Sequence, residues 1–247
     1  RLTLPIAFRT RINAAMARVK HHHQRPARGF CRLRQINRLR QRPFRWLWFR
    51  RERGKGRLMP TAPGEDHYLA ADWADPLDVP IGNEIVANEL QTCGAVNHGC
   101  VAIFDAFCGG TRIAHNVVHA MPYTGISVGF RWDESPTSQR GAVIEYNHVY
   151  DTMRMLADGG CLYTLGWQPD AVIRGNVFHD AHRSEFAHGG APNNGIFFDQ
   201  GSKGFLVSGN TIYRCSGGPI RFNQTGTANM AWEDNAFEIG PGYATEP

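Results

Sequence analysis

The sequence predicts an all-β protein, a right-handed parallel β-helix, and three observations support this fold class. An asparagine recurs within a repeated apolar frame, short strand-like runs fill each repeat, and no segment has the apolar spacing of a helix. The asparagines lie 28, 31, 29, 34 and 25 residues apart. Repeats of this length are typical of solenoids, in which each repeat forms one coil. The recurring residues are Asn88, Asn116, Asn147, Asn176, Asn210 and Asn235.

Each repeat contains two apolar runs of strand-like composition. The first surrounds the asparagine, as in Ile144, Asn147 and Val149, and the second follows a turn. Short runs rich in Ile, Val, Phe and Tyr between turn residues are typical of strands. Since stacked strands rise by about 4.8 Å per coil, the asparagine amides can hydrogen-bond from coil to coil, and we expect a structural ladder. The second runs are residues 101–104, 125–128, 161–164, 195–198 and 219–222.

Charge divides the chain into two segments. Residues 1–60 contain 18 Lys or Arg, 16 of them Arg, against the single acid Glu52, a net charge of +17. The remaining residues, 61–247, contain 9 bases and 21 acids, a net charge of −12. The basic segment, with Trp46 and Trp48, has the composition of an arm for nucleic acid or an anionic surface, or of a disordered or non-native leader. We favour the leader, because it lacks the repeat, and expect no nucleic-acid partner.

These patterns predict an Arg-rich leader over residues 1–75 and a β-helix domain over residues 76–247. We expect the start of the solenoid to be missing, since five or six coils are few for an isolated β-helix. No apolar stretch reaches the about 20 residues of a membrane span, and no signal sequence precedes the repeats, although a truncated start would have lost one. We expect a monomer without a membrane partner, located outside the cell, in the periplasm or at the cell surface.

The six cysteines leave two interpretations open. Their spacing fits no zinc pattern, so either a pair such as Cys93 with Cys100 or Cys108 forms a disulfide, or the cysteines pack inside the coils as small apolar residues. The six are Cys31, Cys93, Cys100, Cys108, Cys161 and Cys215.

Two carboxylates on neighbouring coils form the candidate catalytic pair. Asp158 lies in a turn just before one strand, and Asp199 ends the equivalent strand one coil later. Glycoside hydrolysis needs such a pair, one protonated to release the leaving oxygen and one ionised to attack the sugar or activate water. Each aspartate alone also suits an ordinary turn. An ideal ladder would hold their Cα atoms more than about 10 Å apart, so the turn at Gly159 and Gly160 must fold back to bring them together.

Several segments resemble right-handed β-helical carbohydrate-active proteins. The resemblance covers residues 80–240 and is nearest to glycoside hydrolase family 141, more distantly to β-helical β-xylosidases. It implies a catalytic pair of aspartates, which match Asp158 and Asp199 here. Where related sequences tend to have Tyr and two Asp, this chain has Phe197 or Phe198 and a single Asp199 followed by Gln200. The segments are residues 123–129, 158–164, 175–180, 195–202 and 208–210.

Sugar-binding surfaces need aromatic platforms and hydrogen-bonding side chains around the acids. Suitable residues follow Asp158, occupy the long insertion after Gly129, or lie in and near the loop 181–194. Packing is the competing interpretation for each of them, above all for His179, which takes the place that Tyr150 and Tyr213 take in their coils. A metal site from His179, His182 and His188 is a weaker alternative. The predicted substrate-binding residues are Trp132, Tyr163, Trp167, His179, His188, Asn194 and Lys203.

The resulting functional prediction is a glycoside hydrolase acting on a neutral poly- or oligosaccharide, without a cofactor. A polysaccharide lyase with Ca²⁺ is the second interpretation, with Lys203, Arg183, Arg214 and Arg221 as its basic residues. The acidic body disfavours it, because a charge of −12 repels polyuronates. A non-catalytic glycan-binding β-helix is the third, since one solenoid fold serves all three functions.

Overall fold

A computed structural model describes residues 34–35, 80–187 and 192–238. Within these residues the chain forms three parallel sheets and a single short 3-10 helix, Thr227–Asn229. The predicted all-β parallel β-helix is therefore confirmed. Each coil passes through the three sheets in turn. No helix in these segments is long and apolar enough to cross a membrane.

The first sheet holds the strands that begin at or just after each ladder asparagine. Its parallel strands stack in register, with Val149 beside both Val118 and Phe178. One two-residue strand, β1 (Arg34–Gln35), pairs antiparallel with the first of them. The rest of the predicted leader lies outside the described residues, so the division at residue 75 stays a prediction. The parallel strands are β3 (Asn88–Gln91), β6 (Val117–His119), β9 (His148–Thr152), β12 (Val177–Ala181), β15 (Thr211–Tyr213) and β18 (Ala236–Phe237).

The second sheet carries both candidate acids at its ends. Its strands are the predicted second runs, shortened or extended by a few residues. Ile126, Leu162 and Ile196 align across three neighbouring strands and are completely buried in the coil interior. The strands are β4 (Ile103–Asp105), β7 (Ile126–Val128), β10 (Gly160–Thr164), β13 (Asn194–Phe198) and β16 (Ile220–Phe222).

The third sheet was not predicted as a separate element. The sequence indicated two strands per coil, but the run around each asparagine is bent into two strands, which makes three. On its outer face Glu145 accepts hydrogen bonds from Arg112 and Arg174 of the adjacent coils. The strands are β2 (Glu84–Val86), β5 (Arg112–Ala114), β8 (Val143–Glu145), β11 (Trp167–Arg174), β14 (Lys203–Ser208) and β17 (Met230–Glu233).

The bend between the third and first sheets has one cause in every coil. The residue before each ladder asparagine has a positive φ between 50° and 62°. This left-handed conformation turns the chain sharply in one residue, and glycine occupies the position in only two coils. The six residues are Ala87, His115, Tyr146, Gly175, Gly209 and Asp234.

The asparagine ladder is confirmed in all six coils. The main-chain N–H and Nδ2 of Asn147 both donate to Oδ1 of Asn176, at 2.9 and 3.0 Å, and Nδ2 also donates to the carbonyl oxygen of Ile113 at 2.9 Å. The same pattern runs from Asn88 to Asn235. The amides thereby satisfy backbone groups that the bends would otherwise leave buried without partners.

Of the two interpretations of the cysteines, packing agrees with the structure for four of them. Cys93, Cys108, Cys161 and Cys215 are buried, Cys100 is exposed, and no disulfide joins the described cysteines. Burial and the neighbouring Asp105 raise the pKa of the Cys108 thiol well above its ordinary value. Cys31 lies outside the described residues.

Candidate active site

Asp199 is the most constrained carboxylate of the second sheet. It follows β13 directly and is only 4% exposed. Its Oδ1 accepts hydrogen bonds from Asn223 Nδ2 at 2.7 Å and from the Gln200 main-chain N–H at 2.8 Å. Its Oδ2 accepts a hydrogen bond from the Tyr163 hydroxyl. Three donors around one buried carboxylate is the arrangement that stabilises an anion.

Strand register explains why these donors meet Asp199. Tyr163 lies on β10 between the completely buried Leu162 and Thr164, so its side chain projects from the opposite, outer face. It aligns with Phe197 on β13, two residues before Asp199. Asn223 follows β16, and its main-chain N–H donates to the Phe198 carbonyl at 3.0 Å. Three neighbouring coils therefore each supply one side chain to the cluster.

Asp158 lies at the opposite end of the same sheet face. Its side chain is 57% exposed, and its Oδ1 accepts a hydrogen bond from Arg221 at 3.3 Å. Its main-chain carbonyl accepts a hydrogen bond from the Tyr123 hydroxyl at 2.9 Å. The two glycines that follow are needed for close packing, because a Cβ on Gly159 would clash with Thr124 and one on Gly160 with the backbone of Asn194.

Two tyrosines connect the surroundings of the two acids. Burial, together with the charges of Asp158 and then of Asp199, raises the pKa of Tyr123 to about 12. Burial also raises the pKa of Tyr163 far above its ordinary value, and the hydrogen bond to Asp199 and the charge of Asp158 add to the effect. Both phenols interact electrostatically with both carboxylates. Tyr123, Tyr163, Asp158 and Asp199 therefore belong to one patch.

Arg221 completes this patch. Its guanidinium carbon lies 4.3 Å from the ring centroid of Phe197, a cation–π geometry. Phe197 in turn contacts the edge of the Tyr163 ring, with centroids 5.2 Å apart. Arg221 is three-quarters buried, with 24% of its side chain exposed, and it places a fixed positive charge beside Asp158.

The long insertion after β7 lies against the turn that follows Asp199. A Cβ on Gly201 would clash with the backbone of Asp133, so the glycine permits this close approach. Trp132, which precedes Asp133 in the insertion, is 40% exposed. Lys203 forms an ion pair with Glu134 of the insertion.

Three of the predicted substrate-binding residues, Trp132, Trp167 and Lys203, thus lie along one edge of the candidate site. Lys203 Nζ lies 5.2 Å from the ring centroid of Trp167, and the two residues pair at the start of β14 and β11. Trp132 belongs to the insertion that Lys203 contacts through Glu134. This edge adjoins the end of β13, where Asp199 lies.

Two further predicted residues lie elsewhere. His179 belongs to the first sheet, where its ring stacks between Tyr150 and Tyr213 at centroid distances of 5.1 and 4.6 Å. Asn194 is 1% exposed, and its amide donates to the carbonyl oxygens of Gly217 and Gly218. Both have the contacts of packing residues. Their predicted contact with substrate stays a prediction.

The alternative metal site is only partly visible. His179 contacts His148 and Asp180, whereas His182 contacts Asp151 at 2.9 Å. His188 lies outside the described residues. Among the residues that the structure describes, no three His, Cys, Asp or Glu side chains gather in a way that could hold a metal ion.

Sequence reasoning missed Asn223 and the site roles of Tyr123 and Arg221. Tyr123 was part of the segment that carried the family resemblance, and Arg221 was considered only for the lyase. The available signal was strand register. Tyr163, on the outer face of β10, pairs with Phe197, and Phe197 pairs with Arg221. Asn223 then falls two residues beyond it, level with Asp199.

Comparison with known proteins supports the class of fold. A solved structure titled "Glycoside hydrolase" matches with a TM-score of 0.59 and 26% sequence identity, covering 66% of this chain and 27% of that chain. This chain therefore spans about a quarter of the length of that protein. No family model matches the sequence, and no curated protein does. The chain has a glycoside-hydrolase-like parallel β-helix fold.

Proposed function

We propose that this protein is a glycoside hydrolase that cleaves a neutral poly- or oligosaccharide with Asp158 and Asp199. The observation that carries the proposal is the buried Asp199 carboxylate, held by three donors on a sheet face that also presents Asp158. The glycoside hydrolase among solved structures supports the reaction class. Membership of family 141, which the sequence resembles, is part of the proposal.

Asp199 suits the role of ionised nucleophile or base. A carboxylate has about four lone-pair sites, and three accept hydrogen bonds here, two on Oδ1 and one on Oδ2. The remaining site on Oδ2 can attack an anomeric carbon or take a proton from water.

Asp158 suits the role of general acid, because it is exposed on a turn where a leaving oxygen has access. Arg221 donates a hydrogen bond to Oδ1 of this carboxyl group at 3.3 Å. In the proposed mechanism, substrate binding separates Asp158 from Arg221 before the proton is donated. If the carboxyl groups exchange roles, the same contact serves an ionised Asp158 directly.

The proposed substrate is neutral because the segment 61–247 carries a charge of −12, which disfavours polyanions. Trp132 and Trp167 can offer aromatic faces to sugar rings, and Lys203 lies between Trp167 and Glu134. We propose that the glycan chain follows this edge past Asp199. The reaction as proposed needs no cofactor, and we place the protein outside the cell, in the periplasm or at the cell surface.

One observation favours the second candidate, a polysaccharide lyase. Arg221 places a guanidinium beside Asp158, where it could neutralise the carboxylate of a uronate. A lyase would depend on Ca²⁺ or on Arg221, and its product would contain an unsaturated uronate.

The test compares the wild type with Asp158→Asn and Asp199→Asn on aryl glycosides and on neutral and uronate-containing oligosaccharides. Each variant should retain its fold and lose at least about 100-fold in kcat, because each removes a group used in the transition state. Tyr150→Phe on the first sheet is the matched control and should keep wild-type turnover.

Three outcomes would refute the hydrolase. Full activity in either Asn variant would remove the carboxylate pair from the mechanism. Ultraviolet absorbance of an unsaturated product would establish the lyase instead. Saturable glycan binding by a wild type that turns over no substrate would indicate a non-catalytic binding protein.

A further inference from the structure

We infer that Tyr163 and Asn223 are positioning residues for Asp199, whose carboxylate they hold in one orientation with a lone pair of Oδ2 left for the reaction. This inference rests on the proposed function, because it assigns Asp199 a role in turnover. It changes the interpretation of Tyr163, which the sequence suggested as a sugar platform.

Asn223 fixes one oxygen of the carboxylate. Its main-chain N–H donates to the Phe198 carbonyl at 3.0 Å, so the residue is anchored to the strand that Asp199 ends. From there its Nδ2 donates to Asp199 Oδ1 at 2.7 Å, and the Gln200 N–H supplies a second donor at 2.8 Å. Two donors fill the lone pairs of Oδ1 and leave it no capacity to accept a proton.

Tyr163 orients the other oxygen. Its ring contacts Phe197 nearly at right angles, with an interplanar angle of 85°. Phe197 is itself completely buried and covered by the Arg221 guanidinium. The hydroxyl that reaches Asp199 therefore projects from a ring packed against a fixed neighbour.

The phenol is a permanent donor. Burial and the adjacent carboxylate raise the pKa of Tyr163 far above its ordinary value, so the hydroxyl keeps its proton at any pH at which the enzyme would work. A hydroxyl that keeps its proton can donate its hydrogen bond to Asp199 throughout that range.

A merely structural role for Tyr163 predicts different behaviour from a positioning role. A structural residue affects unfolding, whereas a positioning residue also affects the surroundings of the Asp199 carboxylate and the rate of turnover. Tyr163→Phe separates the two, since it removes only the hydroxyl and keeps the ring against Phe197. Asn223→Ala removes the other side-chain donor, and Tyr150→Phe is the control for loss of a phenol elsewhere.

The first readout needs no substrate. In ¹³C NMR of protein labelled at aspartate carboxyl carbons, the Asp199 resonance is identified by its loss in Asp199→Asn. Its chemical shift at a fixed pH should change in Tyr163→Phe and in Asn223→Ala, because each loses a hydrogen-bond donor to the carboxylate. The chemical shift should not change in Tyr150→Phe. An unchanged chemical shift in both site variants would overturn the inference.

The second readout is kinetic. Tyr163→Phe should lower kcat by about 10- to 100-fold, the effect of one hydrogen bond to a charged group, with little change in KM.

The two readouts distinguish failure of the inference from failure of the proposed function. If Asp199→Asn is inactive while Tyr163→Phe has wild-type kcat, the positioning role is wrong and the hydrolase stands. If no glycoside is cleaved but the Asp199 resonance moves in the site variants, the hydrolase is wrong and the orientation of Asp199 by its donors stands.

Discussion

Replacement of one ladder asparagine by alanine gives the sharpest test of what holds the coils together. Asn147 is completely buried. Its Oδ1 accepts hydrogen bonds from the main-chain N–H and the Nδ2 of Asn116, at 3.0 and 2.9 Å. Its Nδ2 donates to Ile113 and Asn176. Asn147→Ala therefore removes four hydrogen bonds from a site that water cannot reach.

The magnitude follows from these four bonds. Each contributes about 1 kcal/mol net, and the orphaned N–H of Asn116 adds a desolvation penalty of about 1 to 3 kcal/mol. We expect a loss of about 5 to 7 kcal/mol in the free energy of unfolding, a large share of the 5 to 15 kcal/mol that is typical of a domain. Urea-induced unfolding followed by circular dichroism measures this loss.

Asn235→Ala is the matched control, since Asn235 lies in the last described coil and is partly exposed. It accepts the same two hydrogen bonds from Asn210 and donates one to Val207. Water can replace part of these contacts, so we expect a loss of only about 1 to 2 kcal/mol. Equal losses at the two positions, or less than about 1 kcal/mol at Asn147, would refute the view that buried amide satisfaction stabilises the solenoid.

Two further predictions concern other parts of the molecule. Although burial opposes it, the guanidinium groups of Arg174 and Arg112 lower the pKa of Glu145 below its ordinary value. A lowered folded-state pKa contributes stability above the unfolded value, near 4.5, and this contribution is lost as pH falls through the folded value. Glu145→Gln should thus cost roughly 1 to 3 kcal/mol at pH 7, with a difference that shrinks in acid unfolding experiments; a pH-independent difference would contradict this. Trp132→Ala should raise KM for oligosaccharides several-fold and leave kcat and thermal stability nearly unchanged, as measured by steady-state kinetics and calorimetry; an unchanged KM would remove Trp132 from the substrate path.

The asparagine ladder could be predicted from the sequence because the same residue type recurs at the same place in every coil, which gives a periodic sequence pattern. The third sheet could not, because in three of the six coils the bend before the asparagine lies at Ala87, His115 or Tyr146 rather than at a typical turn residue. Tyr146 and His115 adopt φ values of 53° and 55° there, although neither is a typical turn residue. The strand on either side of the bend therefore looks like one continuous run.

The candidate site was predictable only where the residue type and its position along the sequence are enough to suggest its chemistry. Asp158 and Asp199 follow from their positions at strand ends, but the commitment of the Tyr163 hydroxyl to Asp199 depends on side-chain contacts across coils. Asn223 can be found from the sequence only by aligning the runs 195–198 and 219–222, because coils of unequal length give no constant spacing between neighbours. It lies 24 residues after Asp199, whereas Tyr163 lies 36 before it.

The ladder of amides also has a direction. Every ladder asparagine from Asn88 to Asn210 donates through Nδ2 to Oδ1 of the asparagine in the coil that follows, and no bond between two ladder side chains runs the other way. The amide dipoles are thus parallel along the helix axis, and hydrogen bonds in such a chain polarise and strengthen one another. A coil placed before Asn88 would have to offer donors, and one placed after Asn235 would have to offer an acceptor. The stack consequently has two chemically unlike faces, and its coils can be joined head to tail but not head to head.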